Sequence, residues 1–187
     1  ELPDGMRKNE AFPEPIITPS TKAAQGEHDE SVAPSELYKR GAVDPGLYKE
    51  LARISMRLYE RGVSRAADHG MIFVDTKYEF GISNGKIMLM DEVNTPDSSR
   101  YWMKDDYEDR FEKGEEPRKL DKEYVRTWLS EQGFTGDGKP PKLTDEIRVE
   151  ASARYMEVVE KFTGEPMQLD VGPVDKSIYS ILNPFAY

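Results

Sequence analysis

Residues 71–102 read MIFVDTKYEFGISNGKIMLMDEVNTPDSSRYW, and this stretch decides the fold of the chain. Apolar and charged side chains alternate over residues 74–80, which is the period-two pattern of a β-strand with one face turned inward. A second β-prone run covers residues 87–93, after the turn sequence SNG. The stretch therefore predicts an antiparallel hairpin that is followed by a polar loop.

The length of the turn sets the register of this hairpin. A two-residue turn would place Asp91 opposite Tyr78, on the apolar face. A three-residue turn, with Gly85 in the left-handed conformation, shifts the pairing by one residue. It gives these opposed pairs: Lys77 with Asp91, Glu79 with Leu89, and Asp75 with Val93. We favour the three-residue turn because it keeps the Asp91 carboxylate off the core.

The polar face of the hairpin carries unbalanced charge. In the favoured register it holds three carboxylates and one lysine, namely Asp75, Glu79, Asp91 and Lys77. Two carboxylates about 5 Å apart repel each other by roughly 3 kcal/mol at an effective dielectric of about 20. Hard oxygen ligands with few positive neighbours suit Mg²⁺, which is commonly shared with a substrate phosphate. The alternation alone also fits a solvated hairpin face, and the loop that follows favours the metal site.

The loop NTPDSSR at residues 94–100 begins three residues after Asp91. Its Pro-Asp-Ser-Ser run is turn chemistry and, taken alone, predicts an Asx-type turn. The loop also supplies the acid Asp97, two serine hydroxyls and the guanidinium of Arg100. Arginine is well suited to forked contacts with carboxylates or phosphates. This loop therefore shifts the balance from a solvated hairpin face toward a metal site.

Composition excludes several classes of function. The chain has 187 residues, no cysteine, 36 acidic and 26 basic residues, and a formal net charge of −10. Without cysteine it forms no disulfides and no thiolate metal site, which fits an intracellular compartment. So acidic a protein is a poor partner for nucleic acid or an anionic membrane. No apolar run reaches the length of a membrane span.

Helix signals surround the hairpin and indicate an α+β fold, with an antiparallel hairpin packed by helices. Asp44 followed by Pro45 predicts a helix start, and Gly70 predicts its end after His69. Asp121 and Thr144 predict two further helix starts. The other expected segments are a short helix at residues 34–40, helices at 122–132 and 144–162, and a mostly looped surface at 103–120. Helical spacing places Tyr155 on the inward, core-facing side of the last helix.

Three segments carry a resemblance to a known family: TPSTKAAQGEHD at residues 18–29, VDTKYEFG at 74–81 and DEVNTPDSSRYW at 91–102. Together they resemble the phosphoribosylaminoimidazole-succinocarboxamide synthases, or SAICAR synthetases, of purine biosynthesis. The segments occur in the family's order and with plausible spacing. The resemblance covers residues 3–164.

The resemblance implies an ATP-dependent, cytoplasmic ligase with ATP and Mg²⁺ as cofactors. Such enzymes join L-aspartate to the carboxylate of carboxyaminoimidazole ribonucleotide through an acyl phosphate, and give SAICAR, ADP and phosphate. The implied partners are these small molecules, with no nucleic acid and no membrane. The implied fold is the C-terminal lobe of a kinase-like, two-lobed nucleotide-binding architecture.

The resemblance also implies roles for individual residues. The metal ligands would be Glu79 and Asp91, and Lys77 would join them in binding the nucleotide phosphates. The catalytic set would be Asp75, Lys77 and Asp91. The substrate-binding set would be Lys22, His28, Asp29, Asp97, Ser99, Arg100 and Arg126. For His28 and Arg126, an exposed side chain without a substrate role is the alternative.

The family's Gly-rich phosphate loop precedes the matching segment and has no counterpart here. The glycines at 133, 136 and 138 do not lead from a strand into a helix, as a phosphate loop requires. We therefore expect the chain to be the C-terminal part of the enzyme, without the N-terminal nucleotide-binding lobe. Its expected parts are a substrate-site loop region at 1–43, a catalytic lobe at 44–164 and a tail at 165–187.

Two other functions remain open from the sequence. One is another kinase-like ATP-dependent phosphotransferase, although a generic kinase has no need of the loop at residues 96–100. The other is a non-catalytic acidic domain in which the hairpin carboxylates only hold a divalent ion.

Overall fold

The computed structural model describes residues 4–21 and 30–167. In chain order the elements are β1 (Ser20–Thr21), β2 (Glu30–Ser31), α1 (Pro34–Lys39), α2 (Pro45–Asp68), β3 (Met71–Thr76), β4 (Glu79–Ser83), β5 (Lys86–Met90), β6 (Ser99–Met103), α3 (Tyr107–Lys113), α4 (Glu123–Glu131) and α5 (Asp145–Thr163). The strands described form two-stranded antiparallel sheets, β1–β2, β3–β6 and β4–β5. The α+β class expected from the sequence is confirmed.

The two long helices begin at the predicted capping residues. Asp44 caps α2 by accepting a hydrogen bond from the Leu47 N–H at 2.9 Å. Thr144 caps α5 in the same way, and Gly164 ends α5 in the left-handed conformation, with φ of 79°. None of the helices within residues 4–21 and 30–167 combines the length and apolar character that a membrane crossing requires.

The core lies between α2, α5 and the β3–β6 sheet. Its aromatic centre is Phe73, whose ring centroid is 5.4 Å from Tyr59 and 5.1 Å from Tyr101. Tyr101 in turn meets Phe162 of α5 edge-on, at 6.0 Å. The buried cluster consists of Ala66, Met71, Phe73, Tyr101, Met103, Leu120 and Val158. This packing fixes β3 and β6, which carry part of the predicted site.

The hairpin turn between β4 and β5 contains two residues, so the predicted three-residue turn is wrong. Ser83 pairs with Lys86, and Asn84 and Gly85 form the turn. Their φ angles are 50° and 72°. Two successive positive φ angles define a type I′ turn, whose twist matches that of the flanking strands. Turn geometry therefore outweighed the grouping of charge that favoured the other register.

The opposed pairs predicted from the longer turn are wrong for the same reason. Glu79 lies opposite Met90 rather than Leu89, and strand β5 ends at Met90. Asp91 follows in the left-handed conformation, with φ of 64°, and its side chain is exposed. The Asp91 carboxylate thus stays off the core because the chain leaves the strand there, and not because it faces Lys77.

The strand predicted over residues 74–80 is divided between β3 and β4 at Lys77 and Tyr78. β3 pairs with β6, and the register shifts between Phe73 and Asp75. Asp75 therefore lies opposite Arg100 and not opposite Val93. The sequence analysis did not predict β6, because the turn-forming Pro-Asp-Ser-Ser run dominates the segment from which the strand emerges.

Helix α3 corrects the expectation that residues 103–120 are mostly loop. The Tyr107 ring stacks on Trp102 at 5.9 Å and on Phe111 at 5.9 Å. Gly114 ends the helix in the left-handed conformation, with φ of 69°. The density of charged residues hid these aromatic contacts in the sequence.

Candidate active site

Asp75 and Arg100 form a forked ion pair across the β3–β6 sheet. Arg100 Nε donates to Asp75 Oδ1 at 2.8 Å, and Arg100 Nη2 donates to the second carboxylate oxygen. This hydrogen-bonded carboxylate raises the pKa of the Arg100 guanidinium, which stays cationic. Both side chains are about half exposed. A charged group is therefore held in fixed orientation where a ligand can reach it.

Lys77 and Glu79 meet at the break between β3 and β4. The Lys77 ammonium lies 2.8 Å from Glu79 Oε1, and the Glu79 side chain is only 13% exposed. The Lys77 N–H donates to the Ser98 carbonyl at 3.2 Å. The predicted phosphate-binding lysine is thereby tied to the predicted substrate loop through its backbone.

Glu79 and Asp91 belong to the same open end of the β4–β5 hairpin. Asp91 directly follows Met90, the cross-strand partner of Glu79. Within residues 4–21 and 30–167, no group of three or more His, Cys, Asp or Glu side chains is arranged to hold a metal. Mg²⁺ is commonly bound by one or two protein carboxylates together with water and phosphate oxygens. Two carboxylates at this position fit that mode of binding.

Hydroxyl groups fix the shape of the loop between β5 and β6. The Thr95 N–H donates to Ser98 Oγ at 3.2 Å, and the Ser98 N–H donates to Thr95 Oγ1 at 3.1 Å. Thr95 Oγ1 also donates to the Glu92 carboxylate, and the Ser99 N–H donates to the Thr95 carbonyl at 2.9 Å. Such local bonds satisfy the backbone of a tight turn. They leave Asp97 exposed on the loop.

Ser99 is buried rather than open to solvent, with 4% exposure. Its hydroxyl donates to Thr76 Oγ1 at 2.9 Å and lies 3.3 Å from Ser98 Oγ. The hydroxyl therefore joins the loop to β3 in this structure. A direct substrate contact for Ser99 stays a prediction.

Asn94 connects the loop to the core, and the sequence analysis did not identify it. Its side-chain oxygen accepts a hydrogen bond from Tyr78 Oη at 2.7 Å, and its carbonyl accepts one from Tyr101 Oη at 2.5 Å. Burial raises the pKa of Tyr78 to about 12 and also raises that of Tyr101. Both phenols therefore remain donors near neutral pH. The positive φ of Asn94, 58°, turns the chain toward Thr95.

Arg126 lies on α4 and is paired with Glu123 at 2.5 Å. The phenol of Tyr155, on α5, is affected both by the charge of Arg126 and by that of Asp97 on the loop. Burial is the main cause that raises the Tyr155 pKa, Asp97 is among the acids that raise it further, and Arg126 opposes them. The sequence analysis had assigned Tyr155 to the core from its helical spacing alone.

A cavity of about 300 Å³ separates the loop from α5. It is lined by Glu92, Thr95, Pro96, Asp97, Tyr155, Met156, Val159 and Met167. Apolar side chains of α5 form one wall, and the carboxylate-bearing loop forms the other. The cavity gives a ligand room beside Asp97.

Three predicted substrate residues, Lys22, His28 and Asp29, lie outside the described residues. They belong to the segment between strand β1, which ends at Thr21, and strand β2, which begins at Glu30. The roles implied for the three residues stay predictions.

Comparison with known proteins identifies the family. The model of the SAICAR synthetase family matches residues 1–143. A phosphoribosylaminoimidazole-succinocarboxamide synthase of Bacteroides thetaiotaomicron is 54% identical over 167 residues, which are 88% of this chain and 53% of the relative. The chain belongs to the SAICAR synthetase family, and the resemblance found in its motifs is confirmed.

Solved structures of the family share the fold. The SAICAR synthase of Saccharomyces cerevisiae, solved as a complex with SAICAR, matches with a TM-score of 0.73 and 35% identity, over 90% of this chain and 53% of that one. A SAICAR synthetase in complex with ADP matches with a TM-score of 0.64 and 26% identity, over 88% of this chain and 57% of that one. The chain thus spans about half the length of the relatives that it matches.

Proposed function

We infer that the protein containing this chain is an ATP-dependent ligase that joins L-aspartate to carboxyaminoimidazole ribonucleotide and forms SAICAR. The observation that carries this proposal is the Asp75–Arg100 pair, which is held beside the contact between Lys77 and Glu79. Arg100 Nε lies 2.8 Å from Asp75 Oδ1, and Lys77 Nζ lies 2.8 Å from Glu79 Oε1. These four side chains belong to two of the three segments that carry the resemblance. The relatives solved with SAICAR and with ADP support the same assignment.

The nucleotide phosphates and Mg²⁺ belong to the open end of the hairpin in this proposal. Glu79 and Asp91 are the two carboxylates that would hold Mg²⁺, and the Lys77 ammonium would offset phosphate charge. When bound, the metal would neutralise the negative charge of the phosphates. Asp75 supports the site by fixing the orientation of the Arg100 guanidinium.

The remaining side chains belong to the substrates. Arg100 offers forked donors to a carboxylate or phosphate of the ribonucleotide, and Arg126 is proposed to supply a second cation. Asp97 offers acceptor oxygens to hydroxyl or amine donors. Within the same proposal the other substrate-site residues are Lys22, His28, Asp29 and Ser99.

The reaction divides into two balanced steps. A carboxylate oxygen of the ribonucleotide attacks the γ-phosphorus of ATP, and the bond to the β,γ-bridging oxygen breaks to release ADP. The aspartate amine then attacks the acyl carbon of the resulting acyl phosphate. Its C–O bond breaks, inorganic phosphate leaves, and the amine gives up a proton as the amide forms. In phosphoryl transfer the protein chiefly positions the reactants and offsets charge, which is what the ion-paired side chains described above are suited to do.

The proposed division of the chain follows the same assignment. Residues 44–164 supply the catalytic lobe, residues 1–43 supply a substrate-site region, and residues 165–187 form a tail. Arg7 supports an association between the first region and the lobe, because it pairs with Glu112 at 3.1 Å and lies over the Phe111 ring at 3.9 Å.

Substrate dependence of ADP formation tests the proposal. The complete gene product that contains this chain is mixed with ATP and Mg²⁺, and each of the two acceptors is omitted in turn. We expect multiple turnovers only when L-aspartate and the carboxylated ribonucleotide are both present, with SAICAR and ADP formed in equal amounts. Sustained ADP formation without aspartate would indicate a phosphotransferase. Binding of the divalent ion without any turnover would indicate a non-catalytic domain.

A further inference from the structure

Lys122 contacts the substrate loop through both its backbone and its side chain. Its N–H donates to the Pro96 carbonyl at 3.3 Å. Its ammonium lies 3.5 Å from Asp97 Oδ1. The Lys122 side chain is 34% exposed and that of Asp97 is 53% exposed, so the pair lies at the edge of the site. Two successive loop residues are thus held from one position at the start of α4.

The position of Lys122 is itself fixed by the preceding residue. Asp121 is 1% exposed. One of its carboxylate oxygens accepts the Tyr101 N–H at 2.9 Å, and the other accepts the Glu123 N–H at 2.8 Å. Asp121 therefore fastens strand β6 to helix α4. Lys122 lies in the chain between Asp121 and Glu123, which are joined by one of these hydrogen bonds. A shift of the Lys122 backbone would therefore break this bond.

The negative charge of the loop indicates what the Lys122 ammonium contributes. Asp97 lines the cavity together with Glu92, and all of the substrates in the proposed reaction are anions. An uncompensated carboxylate at the mouth of the site would repel them. A cation paired with Asp97 removes this repulsion and keeps the carboxylate available as an acceptor.

We propose that Lys122 is a positioning residue for substrate binding, which offsets the charge of Asp97 and holds the loop that presents it to the anionic ribonucleotide. The proposal rests on the proposed ligase function and deepens it. Lys122 acts through Asp97 and touches no reacting atom. Its loss should therefore weaken substrate binding more than it slows the chemical steps.

The first test compares Lys122→Met with Lys119→Met in the complete gene product. Lys119 is a matched control, because it lies three residues earlier and its ammonium pairs with Glu116 at 3.1 Å, outside the loop. For Lys122→Met we expect a KM for the carboxylated ribonucleotide about fivefold higher, as for a partly exposed ion pair, with kcat changed less than about twofold. Lys119→Met should leave both constants unchanged, and Lys122→Arg should restore KM. Equal behaviour of the two methionine variants would overturn the proposal.

A double-mutant cycle with Asp97→Asn separates a charge effect from a packing effect. If Lys122 acts by offsetting the charge of Asp97, Lys122→Met should raise KM about fivefold when Asp97 is present and by less than about twofold in the Asp97→Asn background. The fivefold increase should also shrink as salt is raised, because salt screens exposed charges. A fivefold increase in both backgrounds, independent of salt, would overturn the proposal.

Hydrogen exchange tests the loop contact without any turnover. The amides of Ser98 and Ser99 are bonded to Thr95 within the loop, and their exchange reports its opening. We expect both amides to exchange about fivefold faster in Lys122→Met than in Lys119→Met, and unchanged exchange would overturn the role of the Lys122 ammonium in holding the loop. Failure of the wild-type protein to make SAICAR would instead count against the proposed function, and this measurement would still decide the contact.

Discussion

Asp91 combines a negative charge with a left-handed backbone, and the two properties can be separated experimentally. Asn and Asp both adopt positive φ angles more readily than other non-glycine residues, so Asp91→Asn should keep the φ of 64° and remove only the charge. If Asp91 holds Mg²⁺, turnover should fall by at least about a hundredfold while the melting temperature stays near the wild-type value. The exposed Asp109→Asn is the control, with full activity expected. Retained activity in Asp91→Asn would exclude Asp91 as a metal ligand.

Arg100 should tolerate no replacement that loses its forked geometry. Arg100→Lys keeps the charge but cannot donate to both oxygens of Asp75 and to a ligand in one plane. We expect kcat/KM to fall by about tenfold or more. The free energy of unfolding should change by less than about 1 kcal/mol, because the pair is half exposed. Steady-state kinetics measure kcat/KM, and urea denaturation measures the free energy of unfolding. A loss of unfolding free energy as large as the free energy that corresponds to the fall in kcat/KM would mean that Arg100 is mainly structural.

The raised pKa of Tyr78 makes the stability of the fold decrease at alkaline pH. Its pKa is about 12 in the folded protein and near 10 when unfolded. A pKa raised by folding gives stability that is complete below pH 10 and is lost as pH rises toward 12. Urea denaturation between pH 8 and 11.5 should show this decline, and Tyr78→Phe should make it shallower. An identical pH profile in the two proteins would contradict the buried donor role of Tyr78.

Individual polar residues were identified from the sequence more readily than their partners were. The motif pattern singled out both Asp75 and Arg100, but their ion pair depends on strand β6, which the pattern did not reveal. Lys122 gave no signal, because a lysine at a helix start is ordinary in any sequence. Tyr155 was assigned to the core, since helical spacing gives no information about which loop packs against that face.

Gly62 lies in the interior of α2, where the helix packs closely against Phe73 and leaves no room for a larger side chain. A Cβ at this position would lie 2.7 Å from Phe73 Cε1 and 3.1 Å from Asn94 Nδ2. Gly62→Ala should therefore destabilise the protein by about 1–3 kcal/mol through overpacking, although alanine favours helices more than glycine does. Ser64→Ala, on the exposed side of the same helix, should stay within about 0.5 kcal/mol. Thermal or urea denaturation of both variants tests this, and a stabilised Gly62→Ala would show that Phe73 moves aside easily.

At the scale of elements, local signals succeeded and pairing signals failed. Helices α2 and α5 were predicted because their capping side chains act on backbone groups a few residues away, and the terminal Gly70 marked the end of α2 in the same local way. The hairpin register depends on one additional turn residue, and the argument from charge favoured the wrong alternative. The pairing of β3 with β6 joins residues that are 23 to 32 positions apart, and no local pattern determines which strands meet at that distance. The alternation therefore indicated extended structure around residues 74–80, but it revealed neither the break between β3 and β4 nor the partner strand β6.

At the scale of the molecule, the proposed site is assembled from elements that share one core. The cluster around Phe73 and Tyr101 holds β3 and β6 together, and Asp121 fastens β6 to α4. The hairpin is less covered, since Ile82, Met88 and Met90 are each about half exposed. The Asp75–Arg100 pair therefore rests on a packed sheet, whereas Asp91 is exposed and directly follows a ribbon whose apolar side chains are half exposed. The substrate side of the site should be more rigid than the metal side.

This asymmetry leads to a prediction about nucleotide binding by the 187-residue chain alone. The chain carries a net charge of −10, and the glycines at 133, 136 and 138 do not form the strand-to-helix loop that surrounds phosphates. We expect isothermal titration with ATP and Mg²⁺ to give an affinity at least about tenfold weaker for this chain than for the complete gene product. The loss of one charge-assisted hydrogen bond is enough to weaken binding by about that factor. Asp91→Asn should weaken the residual binding in the chain further, because the hairpin carboxylates would be its remaining metal contact. Equal affinity in the two proteins would mean that residues 1–187 hold the whole nucleotide site, and the assignment of ATP to a hairpin that supplies only part of that site would then be wrong.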